Sequence, residues 1–570
     1  MHVFAILLVE HGWIYPERWD FDLFNSRKDR IRMKKFMTFL MLLLCSMQSA
    51  SAMNIDAFMD KHIAPVSDAV ANLIFFPISI LGSKVPLIIF WILFAGIFFT
   101  IYYKGIAIWG FKHALDIVAK PAEKSEDGNC GEVSSFQALA TALSGTIGIG
   151  SIAGVAISIS IGGPGAAFWI FVGAILGMSI KFVEATLAVK YRRFNLDGSV
   201  SGGPMHYIAH GLTRKNMRWL GQPLSVIFAI LCIGGGITGG NMIQINQTAH
   251  QLIFITGGEH SILHGYAWII GLVVAVLIGL VVVGGIKSIA KVTTILTPTM
   301  CLLYIVSGLV VIGANITHIP AAIVQIVTEA FHPTAVAGGI FGTIIIGLRR
   351  SVQSNEAGTG AAAIVYATSQ TKEPVSQGFV ALLETFLTGV LCLFTSFAIV
   401  ITGVLKTSAV GKISGIELAS NAFQSVISFF PIILSIIAVL FAISTLISWA
   451  YYGQKAWTFL LGEGKKRVLT FNLIYCLFIV IGSAMNVKSI IDITDAMMIA
   501  MCVPNIIVLY ILAPEIKKDL KAYCQKYKVG KLINRGWIAE SEVQPIAVPV
   551  DVIEDEEKSV GEDISSCQTK

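Results

Sequence analysis

Four short stretches carry residues that could do chemistry in a chain that is otherwise apolar. Residues 342–360, GTIIIGLRRSVQSNEAGTG, set Arg349, Arg350, Asn355 and Glu356 inside a run as apolar as a membrane span. Residues 144–154, SGTIGIGSIAG, hold Gly145, Gly148, Gly150 and Gly154. In FAISTLISWAYYG, residues 441–453, Ser444 and Ser448 share one helix face at i, i+4, and Thr445 shares a face with Trp449. Asn241, Gln244 and Thr248 fall on one face at i, i+3, i+7. Buried amides and charges in lipid are costly unless partnered, so such residues mark sites or helix ties.

The glycines point to a break. Each interior Gly costs a helix about 1 kcal/mol relative to Ala, so 144–154 reads as an unwinding point. The other stretch reads as a second one, with Gly347 followed by polar residues that favour non-helical backbone. Irregular backbone at membrane depth survives only where protein buries it or a cavity borders it. A half-helix starting at a break offers free N–H groups and a positive dipole end, suited to a carboxylate. A half-helix ending there offers carbonyls, suited to Na⁺ or an ammonium group. One zwitterionic small molecule and one monovalent cation satisfy both.

Enzyme chemistry finds no foothold. Gly148, Gly150 and Gly154 have GxGxxxG spacing, without the strand and βαβ unit of a dinucleotide site. HExxH, GxSxG and Walker A patterns do not occur. The carboxylates within the apolar runs are Glu184, Glu356, Glu384, Asp492 and Asp495, and nothing in their spacing pairs them for hydrolysis. No cofactor is expected.

The elements that must position these residues are membrane helices. The chain is 55% hydrophobic and only 13% charged, with mean hydropathy +0.75, against about 25% charged residues in soluble domains. Its apolar runs are continuous rather than alternating, which excludes a β-barrel. The net charge of +6 suits basic cytoplasmic loops and calls for no nucleic acid. The nine Cys are scattered, without paired spacing. A leading span is expected over 83–103. Ten more are expected over 134–161, 166–190, 222–253, 265–283, 292–313, 335–368, 376–404, 430–460, 469–487 and 490–512. Alternate loops are basic, with Lys112, Arg192, Arg214, Lys287, Lys372 and Lys466 among their residues, which puts those loops and the C-terminus in the cytoplasm. Residues 319–331 read as an amphipathic helix on the outer face. Residues 33–52, MKKFMTFLMLLLCSMQSASA, have the basic, apolar and small-residue order of a signal peptide, with Met33 as the true start; an uncleaved anchor is the alternative. The organisation is therefore an extension with signal peptide over 1–52, then a leading segment over 53–133. A ten-helix core follows over 134–512 and a partly disordered cytoplasmic tail over 513–570.

The two broken stretches also look alike. GTIGIG at 145–150 and GTIIIG at 342–347 agree at five of six positions, 197 residues and five spans apart. An odd offset inverts the sense of crossing, as in transporters whose site lies between repeats at the midplane.

With these motifs in hand, the chain resembles the alanine or glycine:cation symporter (sodium:alanine symporter) family over roughly 83–515. The resemblance rests on ALSGTIGIGSIAGVA, GGPGAAFW, SGGPMHYI, GGNMIQIN, RRSVQSNEAGTGAA, TKEPVSQG and STLISWAYYGQKA. It implies the leucine-transporter fold: an all-α polytopic protein with a five-plus-five inverted repeat. Its first and sixth core helices would be discontinuous, with one extra N-terminal helix here. It implies Na⁺-coupled uptake of a small neutral amino acid, alanine or glycine, by alternating access in the bacterial inner membrane, in contact with membrane lipid. Coupling to H⁺ with Glu356 as relay is the alternative.

The resemblance also implies roles. The substrate carboxylate would sit on backbone N–H groups near Gly148, Ile149 and Gly150, with Gln244, Gly347, Ser354, Asn355, Thr445 and Trp449 around it. Na⁺ would take the carbonyls of Ser144 and Ile147 and the hydroxyls of Ser444 and Thr445, with Thr146 a further hydroxyl. Arg349 and Arg350 would serve as supports, paired with Glu356 or Glu384 or with loose carbonyls. The chain departs from the family wording: Ile149 stands for Thr, Ser151 for Asn, Gln353 for Phe and Thr359 for Leu. These departures bear on substrate identity and cation stoichiometry.

Overall fold

The computed structural model describes residues 72–80, 83–119, 131–195, 198–331, 339–407, 415–485 and 487–527, with positions 69 and 529. The expected signal peptide and most of the C-terminal tail lie outside the described residues. One compact unit runs to Lys517 and holds everything discussed below; of the unit that follows, the described part is chiefly the last turns of one helix.

Among the described residues, seven helices are long and apolar enough to cross a membrane, eight with one bent pair. In chain order, α1 is Leu87–Tyr102, α2 Ser135–Thr146, α3 Ala153–Gly162 and α4 Gly165–Lys190. Next come α5 Arg218–Ile255, α6 Ala267–Val282, α7 Gly285–Ala314 and α8 Ile319–Phe331. Then follow α9 Gly339–Asn355, α10 Pro374–Ile401, α11 Phe430–Leu461, α12 Lys465–Ala484 and α13 Val487–Tyr527. The helix expected at 319–331 forms as α8. The helix that carries the last expected span runs on past 512 to Tyr527, with Pro504 and Pro514 inside it. Two short hairpins, Pro77–Ile80 with Ser83–Pro86 and Arg193–Phe194 with Val200–Ser201, are the strands among the described residues.

The first core span is broken as expected. A capping box of Ser134 and Gln137 starts α2. The helix stops at Thr146, Gly148 is extended (φ −110°, ψ −170°), and one 3₁₀ turn leads to α3. The two halves bend by 61°.

The second break is real but misplaced by the sequence reading. Gly347 lies inside α9, and the helix runs on to Asn355. The chain then turns through positive φ at Glu356 (+54°), Gly358 (+93°) and Gly360 (+76°) before a short helical turn, Ala363–Tyr366. A lone glycine costs a helix about 1 kcal/mol, which packing against a neighbour offsets. Gly347 is there for that packing: a Cβ would sit 2.8 Å from the Ala166 carbonyl of α4. Left-handed backbone at 356, 358 and 360 cannot be helical at all.

Packing centres on α4, which lies along α10 and α9. Small residues allow it. A Cβ on Gly177 would meet Ala357 at 2.8 Å, and one on Gly378 of α10 would meet the Phe182 carbonyl at 2.8 Å. The outward face of α7 exposes Ile295, Leu302, Leu309 and Val310, as a helix against lipid tails requires.

Candidate functional site: the meeting of two broken helices

The last turn of α2 has no helix beyond it to take its carbonyls. Side chains from α11 take them instead. Thr445 Oγ1 donates to the Ser144 carbonyl at 3.0 Å, and Ser444 Oγ reaches the same oxygen at 3.5 Å. One turn further on, Ser448 Oγ donates to the Thr141 carbonyl at 2.9 Å and is hydrogen-bonded to Ser144 Oγ. So Ser144, Ser444 and Thr445 of the expected Na⁺ set lie together, all 0–1% exposed. These are hard oxygen donors, the kind a small cation needs. Ile147 is the buried residue that closes α2, its N–H on the Leu143 carbonyl at 2.7 Å. Thr146 is different. Its hydroxyl bonds back to the Ala142 carbonyl of its own helix at 3.2 Å.

On the other side of the break, Gln244 supplies an acceptor. Its Oε1 takes the Ile149 N–H at 2.9 Å, and its Nε2 donates to the Gly239 carbonyl at 3.0 Å. Gly239 belongs to a π-helical turn, Thr238–Met242, inside α5. Such turns free a backbone carbonyl from the ladder, and here it orients the amide. Gly148 sits between the two side chains. A Cβ there would lie 2.7 Å from Thr445 Oγ1 and 2.8 Å from Gln244 Oε1, so only glycine lets α5 and α11 close on the break. A Cβ on Gly150 would meet nothing within 4 Å.

Trp449 packs its indole on Gly240 and Gly236 of α5 and is 1% exposed. Its Nε1 donates to Glu356 Oε1 at 3.1 Å. This bond ties α11 to the second break. Asn355 shapes that break itself: its Oδ1 accepts the Ala357 N–H at 2.9 Å and its Nδ2 donates to Ser351 at 3.0 Å. Ser354 is buried beside the Cys392 thiol, which also faces Ser151. Gly347 lies more than two turns before the break and faces α4, away from this convergence.

Elsewhere on these faces, Asn241 and Asn246 tie α5 to the α12 region through the carbonyls of Tyr475, Gly482 and Met485.

The arginine pairings differ from expectation. Arg349 forms an ion pair with Asp495 of α13 and stacks over the Phe75 ring, 4.3 Å from its centroid. Arg350 is buried against α3, its Nε 3.3 Å from Ser158 Oγ. Neither is bonded to Glu356 or Glu384. Glu384 already has a cation: Lys181 Nζ lies 2.9 Å from Oε1, and the Tyr366 hydroxyl donates to Oε2 at 2.8 Å. The sequence reading missed Lys181. Its signal was a lone Lys one turn from Glu184 in MSIKFVEAT, within an expected span. Glu184 in turn accepts Asn505 Nδ2 at 2.7 Å and the Gly358 N–H at 3.0 Å. It thereby holds the second break from α4 and α13.

The geometry is that of buried oxygens from α2 and α11 gathered at the first break, with the Ile149 N–H held by Gln244 and the second break tied in through Trp449. The profile of the sodium:alanine symporter family matches residues 68–535. The chain belongs to the sodium:alanine symporter family. Membership makes it a multi-pass membrane protein and a Na⁺-coupled amino-acid symporter rather than an enzyme. The sodium/alanine symporter AgcS of Methanococcus maripaludis is 35% identical over 77% of this chain and 94% of its own. The probable sodium/glutamine symporter GlnT of Bacillus subtilis is 32% identical over 79% of this chain and 90% of its own. Among solved structures, MhsT in complex with L-phenylalanine aligns with 69% of this symporter and 90% of its own chain, with TM-score 0.49 and 13% identity.

Proposed function

We propose that this symporter carries a small neutral amino acid, alanine or glycine, into the cell with Na⁺ by alternating access across the bacterial inner membrane, its C-terminus cytoplasmic. Na⁺ is held by the Ser144 and Ile147 carbonyls with the Ser444 and Thr445 hydroxyls. The substrate carboxylate takes the N–H groups at Gly148, Ile149 and Gly150, beside the Na⁺, displacing Gln244 Oε1 from the Ile149 N–H. Gln244, Thr445 and Trp449 border the substrate, with Ser354 and Asn355 behind the second break; Trp449 keeps the volume small. The observation that carries this reading is the Gly148 junction, where Thr445 and Gln244 close on one glycine from two helices. A cation and a carboxylate bound side by side there neutralise each other, so each raises the affinity of the other. Inward movement of one positive charge down 100 mV supplies about 2.3 kcal/mol. That makes accumulation of the substrate possible. The site is built on an inverted pair of five-helix repeats in this reading.

Kinship spreads over alanine and glutamine carriers by name. The small-substrate assignment therefore rests on the indole of Trp449, packed into the space beside the break. Uptake of radiolabelled alanine and glycine into proteoliposomes, with and without a Na⁺ gradient, tests the coupling; Na⁺-independent uptake overturns it. Thr445→Val removes a hydroxyl and keeps the shape. Its expected effect is a loss of Na⁺ affinity of tenfold or more, and wild-type Na⁺ dependence in that variant rules out the cation site.

A further inference from the structure

The transport reading uses the backbone of the second break but leaves its carboxylate without a task. Glu356 is 2% exposed. One oxygen accepts the Trp449 N–H at 3.1 Å; Oε2 accepts no hydrogen bond from any described residue. The titratable groups that face it are Lys181 and Glu184 of α4, Glu384 of α10, Tyr452 of α11 and Cys232 of α5.

Three carboxylates, Glu184, Glu356 and Glu384, share one lysine. Lys181 is committed to Glu384, whose two oxygens are both satisfied. If Glu184 and Glu356 were both ionised, the buried cluster would carry two uncompensated negative charges. A buried ion without a partner costs several kcal/mol, and a carboxyl group escapes that cost by binding a proton.

Geometry decides which carboxyl holds it. Glu184 also has one unpartnered oxygen, but its other oxygen takes two donors, Asn505 Nδ2 and the Gly358 N–H. Glu356 has one donor. It also stands just past the C-terminus of α9, its own N–H bonded to the Val352 carbonyl at 2.8 Å. The C-terminal end of a helix is the negative end of its dipole and opposes a second negative charge there.

We propose that Glu356 is a proton-binding site of the transport cycle. Its carboxyl is neutral while the break is closed; its Oε2 gives the proton to water on one side of the membrane when the break opens there and takes a proton back from water on the other side, so that each cycle exchanges one proton across the membrane. This rests on the transporter reading for its part in the cycle, but not for the proton itself.

The proton is tested by infrared spectroscopy on the full-length protein in lipid at neutral pH. The carbonyl band of a protonated carboxylic acid is expected in the wild type, with the contribution of one carboxyl lost in Glu356→Gln and retained in Glu184→Gln. A wild type without the band overturns the proposal, as does a band that disappears in Glu184→Gln alone. This readout on the wild type stands even if a variant fails to fold. The cycle is tested in proteoliposomes loaded with a pH dye. Alanine added with a Na⁺ gradient is expected to change the luminal pH in the wild type and not in Glu356→Gln. Na⁺-driven alanine uptake with no pH change overturns the exchange step. A wild type that takes up no alanine defeats the substrate assignment instead, and the infrared band still decides the proton site.

Discussion

Gly148 concentrates the argument at the scale of the residue. Its missing side chain is what lets Thr445 Oγ1 and Gln244 Oε1 reach the break from two helices. Gly148→Ala puts a Cβ where both atoms already stand, and a contact under 3 Å forces one helix to move. Uptake of alanine is expected to fall at least tenfold, with protein amount and melting temperature close to wild type, since the strain is local. Normal uptake by this variant refutes the junction. Gly150, two residues on, is the internal control. A Cβ there meets nothing within 4 Å, so only its backbone N–H bears on the site. Glycine count alone did not separate these two positions. The neighbours do, and they come from 96 and 297 residues further along the chain.

Helices, rather than single side chains, carry the charge that holds the second break. Lys181 and Glu184 lie one turn apart on α4, facing α10 and the turn after α9. Breaking a buried ion pair by removing one partner costs about 3–5 kcal/mol, whereas replacing both by apolar groups is often neutral. Lys181→Met is therefore expected to lower the melting temperature in detergent markedly, and the double variant Lys181→Met, Glu384→Leu to recover most of the loss. Equal melting of the two variants removes the pair from the account of stability. The same reasoning explains why Arg349 and Arg350 are supports. Arg349 reaches α13 through Asp495 and Arg350 lies against α3. Pattern reading saw that these charges needed partners. It did not see which, because a partner is chosen by helix packing and not by sequence spacing.

At the scale of the whole molecule, the proposed orientation rests on the basic residues of alternate loops, which the positive-inside rule assigns to the cytoplasm. A cysteine placed at exposed Lys466 is expected to react with an impermeant thiol reagent only from the cytoplasmic side, and one at exposed Glu259 only from outside. The six cysteines described are free, and five of them are buried, so their background is low. Labelling of both positions from one side overturns the topology.

What the sequence determined by itself was the class of the molecule and the rough position of its site. Continuous apolar runs make membrane helices, clustered glycines unwind one, and hydroxyls at i and i+4 form a polar face. These are local effects and are legible from neighbours in the chain. The second break shows where local reading ends. Gly347 and the arginines looked like the interruption, yet α9 passes through them because α4 receives the bare glycine and α13 and α3 receive the charges. The break falls instead at Glu356–Gly360, where the backbone turns left-handed and where Trp449, Glu184 and Asn505 bind it from three other helices. Tertiary structure decided that, since the cost of a helix interior is small and local while its compensation is supplied by residues far away in sequence.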